Sequence, residues 1–365
     1  MAAQGVVAYS QINATVRALY SKMIAPPIWE ALIHAQDLNA LLALLSKTVY
    51  GPYLQLKSEL LTPRRIAYQI RGHLADIYAK LIRLSPTTAC SVLSQLWQLY
   101  EVDNLKATLR GIETGASWDQ VLHLLSPMSQ HTVLKPEDLE KMLQSGTIEK
   151  AISHIAHTPY YDTLAHALER YQTEHSLFPL EVAIDLEYRR KLWKSIECLK
   201  GRDREQALHI IGTGLDSDNL LWAIRYRVYH GLSEQEIINY TLPYGYQLRD
   251  EDIRAIAAGK EIAPIIQRLY PELKARFQFE SSTDLSAFEL ALQRHIVKTC
   301  HAAFRDYPFH IGVPIAYVWL NEHEIRDLTM IVEAKASRLP VETFISLLEM
   351  QPLSAQEARP ALLPV

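Results

Sequence analysis

The chain has 365 residues, with 37 basic and 41 acidic side chains and a formal charge of −4. This near-balance argues against a protein that coats nucleic acid or an anionic membrane surface. Its three distant cysteines suggest no disulfide framework and favour a reduced, cytosolic location. The start of the chain lacks the basic segment of a signal peptide. Apolar stretches such as 38–45 are far shorter than the roughly 20 residues that span a bilayer, so other subunits would provide any membrane attachment.

Apolar residues recur at helical spacing along almost the whole chain. Glycine is scarce, with 13 residues, and runs of alternating β-branched residues are nearly absent. Residues 29–46 and 185–199 show the i, i+3, i+4, i+7 pattern of an amphipathic helix. The sequence therefore predicts an all-helical protein.

One motif occurs three times. It reads EVDNLKATLRGIETG at 101–115, DSDNLLWAIRYRVYHG at 216–231 and, in a decayed form, EIRDLTMIVEAKASR at 324–338. Asn104, Asn219 and Asp327 are therefore equivalent repeat positions, 115 and 108 residues apart. A chain made of three copies of one module favours a pseudo-threefold body over an enzyme with a single pocket.

Other landmarks keep the same register. A short helical pair opens each copy and leads to a tyrosine 54, 59 or 57 residues before the asparagine-type position; these tyrosines are Tyr50, Tyr160 and Tyr270. Glu181 and Glu289 precede that position by 38 residues in the second and third copies. Several landmarks in one register indicate a true triplication.

The repeat also predicts the domain organisation. We expect an N-terminal extension at 1–28, helical modules at 29–135, 136–248 and 249–350, and a flexible tail at 351–365. Each module is large enough to bury a core of its own. The tail contains three prolines and shows no helical periodicity.

Two interpretations of the motif stay open. In the first, the motif begins a helix in each module. Asp103 or Asp218 would then accept free N–H groups at a helix N-terminus. The apolar residues one and five positions after the asparagine would face the core.

In the second interpretation, the polar positions of the three copies line a shared central surface. Arg110, Arg225 and their third equivalent, Glu333, are candidates for contact with a partner. The third copy also replaces Asp-Asn by Arg326-Asp327, so one wall of the surface would carry the opposite charge. Such a surface suits an asymmetric partner.

No catalytic, cofactor or metal motif is evident. The chain lacks a phosphate loop, a nucleophile elbow, H-E-x-x-H and C-x-x-C. His154 and His157 could present two imidazoles on one helix face, but their counterparts 110 residues earlier are Leu44 and Lys47. This favours one semi-buried and one solvated histidine. We expect no catalytic residue, no cofactor and no metal.

A basic run lies between residues 189 and 204. Acidic residues interleave with it, which favours a solvated helix face, with contact to an acidic partner as the alternative. The cations are Arg189, Arg190, Lys191, Lys194, Lys200, Arg202 and Arg204.

Together these features resemble the C-type central-stalk protein of prokaryotic V/A-type rotary ATPases, whose eukaryotic vacuolar counterpart is the d-type protein. Two positions depart from the family pattern: Asp327 replaces an asparagine, and Pro127-Met128-Ser129 replaces a Pro-x-Gly turn. The matching residues run in order through nearly the whole chain: Tyr9, Asn13, Ala14, Arg17, Thr48 to Tyr50, Asp103 to Lys106, Arg110, Gly111, Thr158 to Tyr160, Glu181, Asp185, Tyr188, Asp218 to Leu220, Arg225, Gly231, Leu242 to Gly245, Glu289, the stretch from Phe304 to Phe309, Ala316, Tyr317, Glu324, Ile325, Leu328, Ile331 and Lys335.

The resemblance implies a non-catalytic, funnel-shaped body of three helical modules on the cytoplasmic face of a membrane. It would join the central shaft, made of D- and F-type subunits, to the proteolipid rotor ring and transmit torque for proton or sodium transport. Two alternatives stay open: a free-standing helical scaffold, and an all-helical enzyme with a site between modules. Solenoid repeats are usually about 20–50 residues long, much shorter than this period.

Overall fold

The structure is a computed structural model. No residue in the described part of the chain lies in a β-strand, and long stretches of it are helical, which confirms the all-helical prediction. The predicted tail at 351–365 lies outside the described residues, as does Ser129 of the departing turn. The described ranges are 2–54, 62–128, 131–273, 279, 282–305 and 307–350.

The first copy and the segment before it contain helices α1 to α6. Asp37 caps α3, since its carboxylate accepts the Ala40 N–H at 2.8 Å. Thr62 caps α4 in the same way, and α5 ends at Gly115, whose φ of 64° is the left-handed conformation that glycine adopts at low cost. The bounds are α1 (Ala2–Tyr20), α2 (Pro26–Ile33), α3 (Leu38–Leu45), α4 (Pro63–Leu84), α5 (Thr87–Thr114) and α6 (Trp118–Leu122).

The second copy contains α7 to α13. A π-helical turn at Leu208–Gly212 joins α11 to α12 without a break, so the two form one long rod. Ser233 forms a capping box at the start of α13, as Ser117 does at the start of α6. The bounds are α7 (Pro136–Gln144), α8 (Ile148–His154), α9 (Tyr161–Glu174), α10 (Phe178–Glu197), α11 (Gly201–Ala207), α12 (Thr213–Val228) and α13 (Glu234–Asn239).

The third copy contains α14 to α18. Its last long helix, α17, is buried over most of its length, although the helix carries several polar and charged side chains. The bounds are α14 (Asp250–Ala257), α15 (Ala263–Leu269), α16 (Ser282–Ala302), α17 (Gly312–Ala336) and α18 (Val341–Phe344).

The long helices pack in a cyclic order. The first long helix of the second copy, α10, packs against the last long helix of the first copy, α5. In the same way α16 packs against α12, and α4 of the first copy packs against α17 of the third. The first and third copies therefore meet directly. This closed order is consistent with the predicted three modules; their boundaries and the pseudo-threefold relation stay predictions.

The prediction that the motif begins a helix is wrong. Asn104, Asn219 and Asp327 lie in the interior of α5, α12 and α17. In α5 the buried apolar pattern continues upstream through Leu93 and Trp97, which extends the helix back to its start at Thr87. Asp103 and Asp218 are therefore not N-terminal capping residues.

Candidate functional site

The repeated asparagine fastens a loop to its helix. In the first copy, the Asn104 Nδ2 donates to the Ser126 carbonyl oxygen at 3.1 Å, and its Oδ1 accepts the Ser126 N–H at 2.6 Å. In the second, Asn219 makes the same two bonds with Leu242, at 2.9 and 2.8 Å. An amide can donate and accept at once, so one side chain satisfies both backbone groups of one residue. The two asparagines and the two residues that they bind, Ser126 and Leu242, are all buried.

The third copy uses a carboxylate at the same position. Asp327 accepts the N–H of Glu349 at 2.9 Å and that of Met350 at 2.7 Å. Burial raises the pKa of Asp327 to about 7, against the opposing effect of these two N–H groups. In all three copies the helix thus holds the segment that lies 22 or 23 residues downstream.

A buried acid stands three residues before each of these positions, and two of the three acids receive a tyrosine from another copy. Glu101 of the first copy accepts the hydroxyl of Tyr160 in the second at 2.8 Å. Glu324 of the third copy accepts the hydroxyl of Tyr50 in the first at 2.7 Å. Burial raises the pKa of Glu101, and it raises that of Glu324 to about 7.

The second copy varies this arrangement. Asp216 accepts backbone N–H groups of its own copy, from Tyr246, Gln247 and Leu248. The Tyr270 hydroxyl of the third copy instead lies 3.0 Å from the hydroxyl of Ser217, the neighbour of that acid. Each of the three landmark tyrosines therefore contacts the motif of the preceding copy, and Tyr50 closes the cycle.

A polar cluster forms where the copies meet. The Tyr78 hydroxyl of α4 donates to Glu322 of α17 at 2.7 Å, and Tyr100 of α5 also hydrogen-bonds to this carboxylate. Burial raises the pKa of Glu322, which the Arg326 guanidinium opposes and the Asp103 carboxylate reinforces. Side chains of the first and third copies therefore share one electrostatic environment.

The second copy adds its charges through α10 and α12. Lys106 of α5 binds Asp185 of α10 at 2.9 Å. Arg189 of α10 binds Asp218 of α12 at 2.8 Å, and its guanidinium lies over the Trp222 ring at 4.2 Å from the ring centroid. Arg189 is therefore mostly buried, with 11% of its side chain exposed, so the expectation of a solvated face is wrong for this residue.

Solvent nevertheless reaches this cluster. The three side chains one position before the motif residue, Asp103, Asp218 and Arg326, are 50%, 37% and 50% exposed although they stand among the packed long helices. We call the central surface the set Asp103, Lys106, Asp185, Arg189, Asp218, Glu322 and Arg326. It combines charges of both signs from all three copies.

The predicted partner residues lie seven positions after these charges, on the same helix face. Arg110 of the first copy makes two bonds to Glu181 of the second, at 2.6 and 2.7 Å. Arg225 of the second copy lies 3.3 Å from Glu289 of the third. The two arginines thus pair with the two glutamates that share a register in the sequence.

Glu333 is the third member of this set and differs from the others. It is exposed, and in the described ranges its carboxylate has no ion-pair partner. The residue 38 positions before Asn104, in the register of Glu181 and Glu289, is Ile66. The first copy therefore offers no charge where the other two copies offer a carboxylate.

The sequence interpretation missed most of the central surface. Its first interpretation made Asp103 and Asp218 helix caps, and it favoured a solvated face for Arg189. The signal that pointed to this surface was the one used in the second interpretation: the charge before the motif residue reverses its sign in the third copy, together with the arginine-type position seven residues later. Seven residues are close to two helical turns, which places both reversals on one face.

Two absences hold for the described part of the chain. No group of three or more His, Cys, Asp or Glu side chains there is placed to hold a metal ion, and His154 and His157 are both exposed. Across the same ranges, no helix is both long and apolar enough to cross a membrane.

A family model described as the ATP synthase (C/AC39) subunit matches residues 12–346. The chain belongs to this family. It is therefore an ATP synthase subunit, of a structural rather than a catalytic kind.

Curated relatives agree with this membership. One is the C-type subunit of the A-type ATP synthase of Methanocaldococcus jannaschii, 27% identical over 347 residues, which cover 93% of this chain and 86% of the relative. The corresponding proteins of Methanobrevibacter smithii and Thermococcus kodakarensis are 26% and 22% identical; the matches cover 72% and 89% of this chain and 68% and 86% of the relatives.

Proposed function

We propose that this protein is a central-rotor subunit of an A-type or vacuolar-type ATPase. It joins the central shaft, formed by D- and F-type subunits, to the proteolipid ring in the membrane. It has no active site and transmits torque between ATP turnover and proton or sodium transport. Other subunits hold it on the cytoplasmic face of the membrane.

The observation that carries this proposal is the closed cycle of contacts between the three copies. A body that transmits torque must resist being opened or sheared. Each pair of neighbouring copies shares a long helix–helix contact and a buried tyrosine contact at the motif. Because packed interiors deform little, this cycle supplies stiffness.

In this proposal the central surface is the binding site, or seat, for the end of the shaft. A rotating joint needs a contact that does not slip, and charge complementarity fixes orientation more effectively than buried area alone. The seven side chains of the central surface offer both signs of charge in fixed positions. Five of them pair with one another, and Arg326 pairs with Glu349. Arg110, Arg225 and Glu333 are candidates for its edge.

Co-purification tests the proposal directly. An affinity tag on this chain, used on membranes solubilised in mild detergent, should recover the shaft subunits and the proteolipid ring. A protein recovered alone, with ATPase subunits present in the same membranes, would contradict a rotor role. That result would favour the second candidate, a free-standing helical scaffold.

Charge reversal tests the edge residues. Arg110→Glu combined with Arg225→Glu should weaken recovery of the shaft subunits while the ring is still recovered. Lys194→Glu is a matched control, because Lys194 is exposed on α10 and carries the same charge. Unchanged shaft recovery in the double variant would remove the two arginines from the interface.

A further inference from the structure

The third copy differs from the other two at two charged positions on one helix face. Asp103 and Asp218 become Arg326, and Arg110 and Arg225 become Glu333. The side chains at both positions are at least partly exposed in the structure, and those at the first position belong to the central surface. The apolar face of the same helix stays buried in all three copies. The fold is therefore kept while the polar face changes sign.

The two arginines are neutralised inside the chain. Glu181 pairs with Arg110, and Glu289 pairs with Arg225. Across the described ranges Glu333 has no such partner, and the register places Ile66 where the other copies carry a glutamate. Among the described residues, the reversed copy thus presents one unpaired carboxylate, Glu333, beside the two neutralised arginines. Its cation, Arg326, lies 3.6 Å from Glu349 of the same copy.

A binding surface formed by three similar copies does not by itself fix the orientation of its ligand. A rod seated at its centre could take three orientations, about 120° apart, with nearly the same contacts. Like charges brought together by a wrong orientation are strongly unfavourable, so a single reversed wall is enough to select one orientation.

We propose that Arg326 and Glu333 fix the rotational register of the shaft subunit in the central surface. The occupant is the end of a helical rod that carries a cationic side chain opposite Glu333 and an acidic one opposite Arg326. This inference rests on the proposed function, since it concerns the same seat. It goes further because it assigns to two named residues the orientation of the bound shaft subunit, and not only its affinity.

Site-specific crosslinking of the complete complex tests this register. A photoreactive benzoyl-phenylalanine at the end of the shaft subunit is crosslinked to this chain, and the crosslinked peptides are assigned to copies by mass spectrometry. In the wild-type complex one copy should dominate by about tenfold or more, which corresponds to only about 1.4 kcal/mol of orientation preference. Glu333→Arg should spread the crosslinks over the three copies.

Matched variants separate register from simple loss of charge. Glu333→Asp should keep the preference for one copy. Glu342→Arg, at an exposed position on α18 of the same copy, makes the same charge change at a residue that belongs neither to the central surface nor to its proposed edge. It should also keep the preference. Arg326→Gln removes the cation without placing a second negative charge beside Glu322, and it should reduce the preference. Thermal unfolding of each variant confirms that it folds.

The outcomes distinguish this inference from the proposed function. Equal crosslinking to the three copies in the wild-type complex overturns the register and leaves the seat standing. A single preferred copy that Glu333→Arg and Arg326→Gln leave unchanged also overturns it. A shaft end that crosslinks to none of the three copies overturns the seat and the register together.

Discussion

We call Asn104, Asn219 and Asp327, each with the downstream segment that it binds, the three clamps. All three hold that segment against a long helix, but the first two do so with an amide and the third with a carboxylate. Asn104 and Asn219 each bind the N–H and the C=O of one residue. Asp327 binds two successive N–H groups. A carboxylate cannot donate when ionised, so the third copy had to present two donors where the others present a donor and an acceptor.

This difference makes one of the three clamps sensitive to pH. An amide keeps its hydrogen bonds over the whole physiological range. The pKa of Asp327 is raised by burial to about 7, so this clamp changes charge near neutrality. Equivalent positions in a repeat can therefore share geometry and differ in their response to the solution.

The largest expected loss at a single pH comes from giving the second clamp the chemistry of the third. Asn219→Asp places a carboxylate oxygen against the Leu242 carbonyl and should lower the free energy of unfolding by about 3–4 kcal/mol at pH 8. Denaturant titration measures it. Asn239→Asp, at an exposed position on α13, is the control and should cost less than about 0.5 kcal/mol. A loss below about 1 kcal/mol at Asn219 would show that the clamp tolerates either chemistry.

The reverse exchange sharpens the comparison through pH. The folded pKa of Asp327 lies above its unfolded value, so this group contributes stability at low pH that is lost as pH rises from about 4 to about 7. Asp327→Asn removes this dependence, and the advantage of the wild type over the variant should shrink by up to about 4 kcal/mol across that range. Unfolding curves between pH 4.5 and 8 test it. Parallel pH profiles of the two proteins would contradict a titrating clamp.

The tyrosine contacts between copies should also differ in how much they contribute to the free energy of unfolding. Tyr50→Phe removes a buried hydrogen bond to the Glu324 carboxyl and should cost about 2 kcal/mol. Tyr270→Phe removes only a bond to the Ser217 hydroxyl and should cost about 1 kcal/mol. Thermal and denaturant unfolding of the two variants measure the difference. Equal losses would mean that the partner acid contributes nothing beyond an ordinary hydroxyl.

The smallest effect is expected at the exposed ion pairs between copies. Arg110→Ala and Arg225→Ala should each change the free energy of unfolding by less than about 1 kcal/mol, because solvent screens pairs of this kind. The same denaturant titrations measure both variants. A loss of several kcal/mol would show that these pairs hold the copies together and are not free to serve a partner.

The sequence predicted the helical class and the equivalent positions, because both depend on local periodicity and spacing. The register of Glu181 and Glu289 was visible in the same way. Their pairing with Arg110 and Arg225 was not, since spacing along one copy does not reveal which copy lies beside it. The packing of neighbouring copies in the folded structure is what brings each arginine to its glutamate.

The motif residues illustrate the other limit. An Asp-Asn pair followed by apolar residues at helical spacing has the composition of a helix start. The pattern alone could not show that the helix continues upstream to Thr87. The loop that needs this side chain lies 22 residues further along the chain. Arg189 was misplaced for a similar reason: its counter-charge, Asp218, belongs to a different helix.

The contact between α4 and α17 has a mechanical consequence. Because the first and last copies meet, the three copies form a closed ring with three interfaces, which we call joints. A force that pushes the copies apart is therefore shared by all three joints. The joint between the second and third copies has the weakest tyrosine hydrogen bond of the three, since Tyr270 contacts a hydroxyl there and the tyrosines of the other joints contact a carboxyl. We expect forced separation of the copies to begin at that joint.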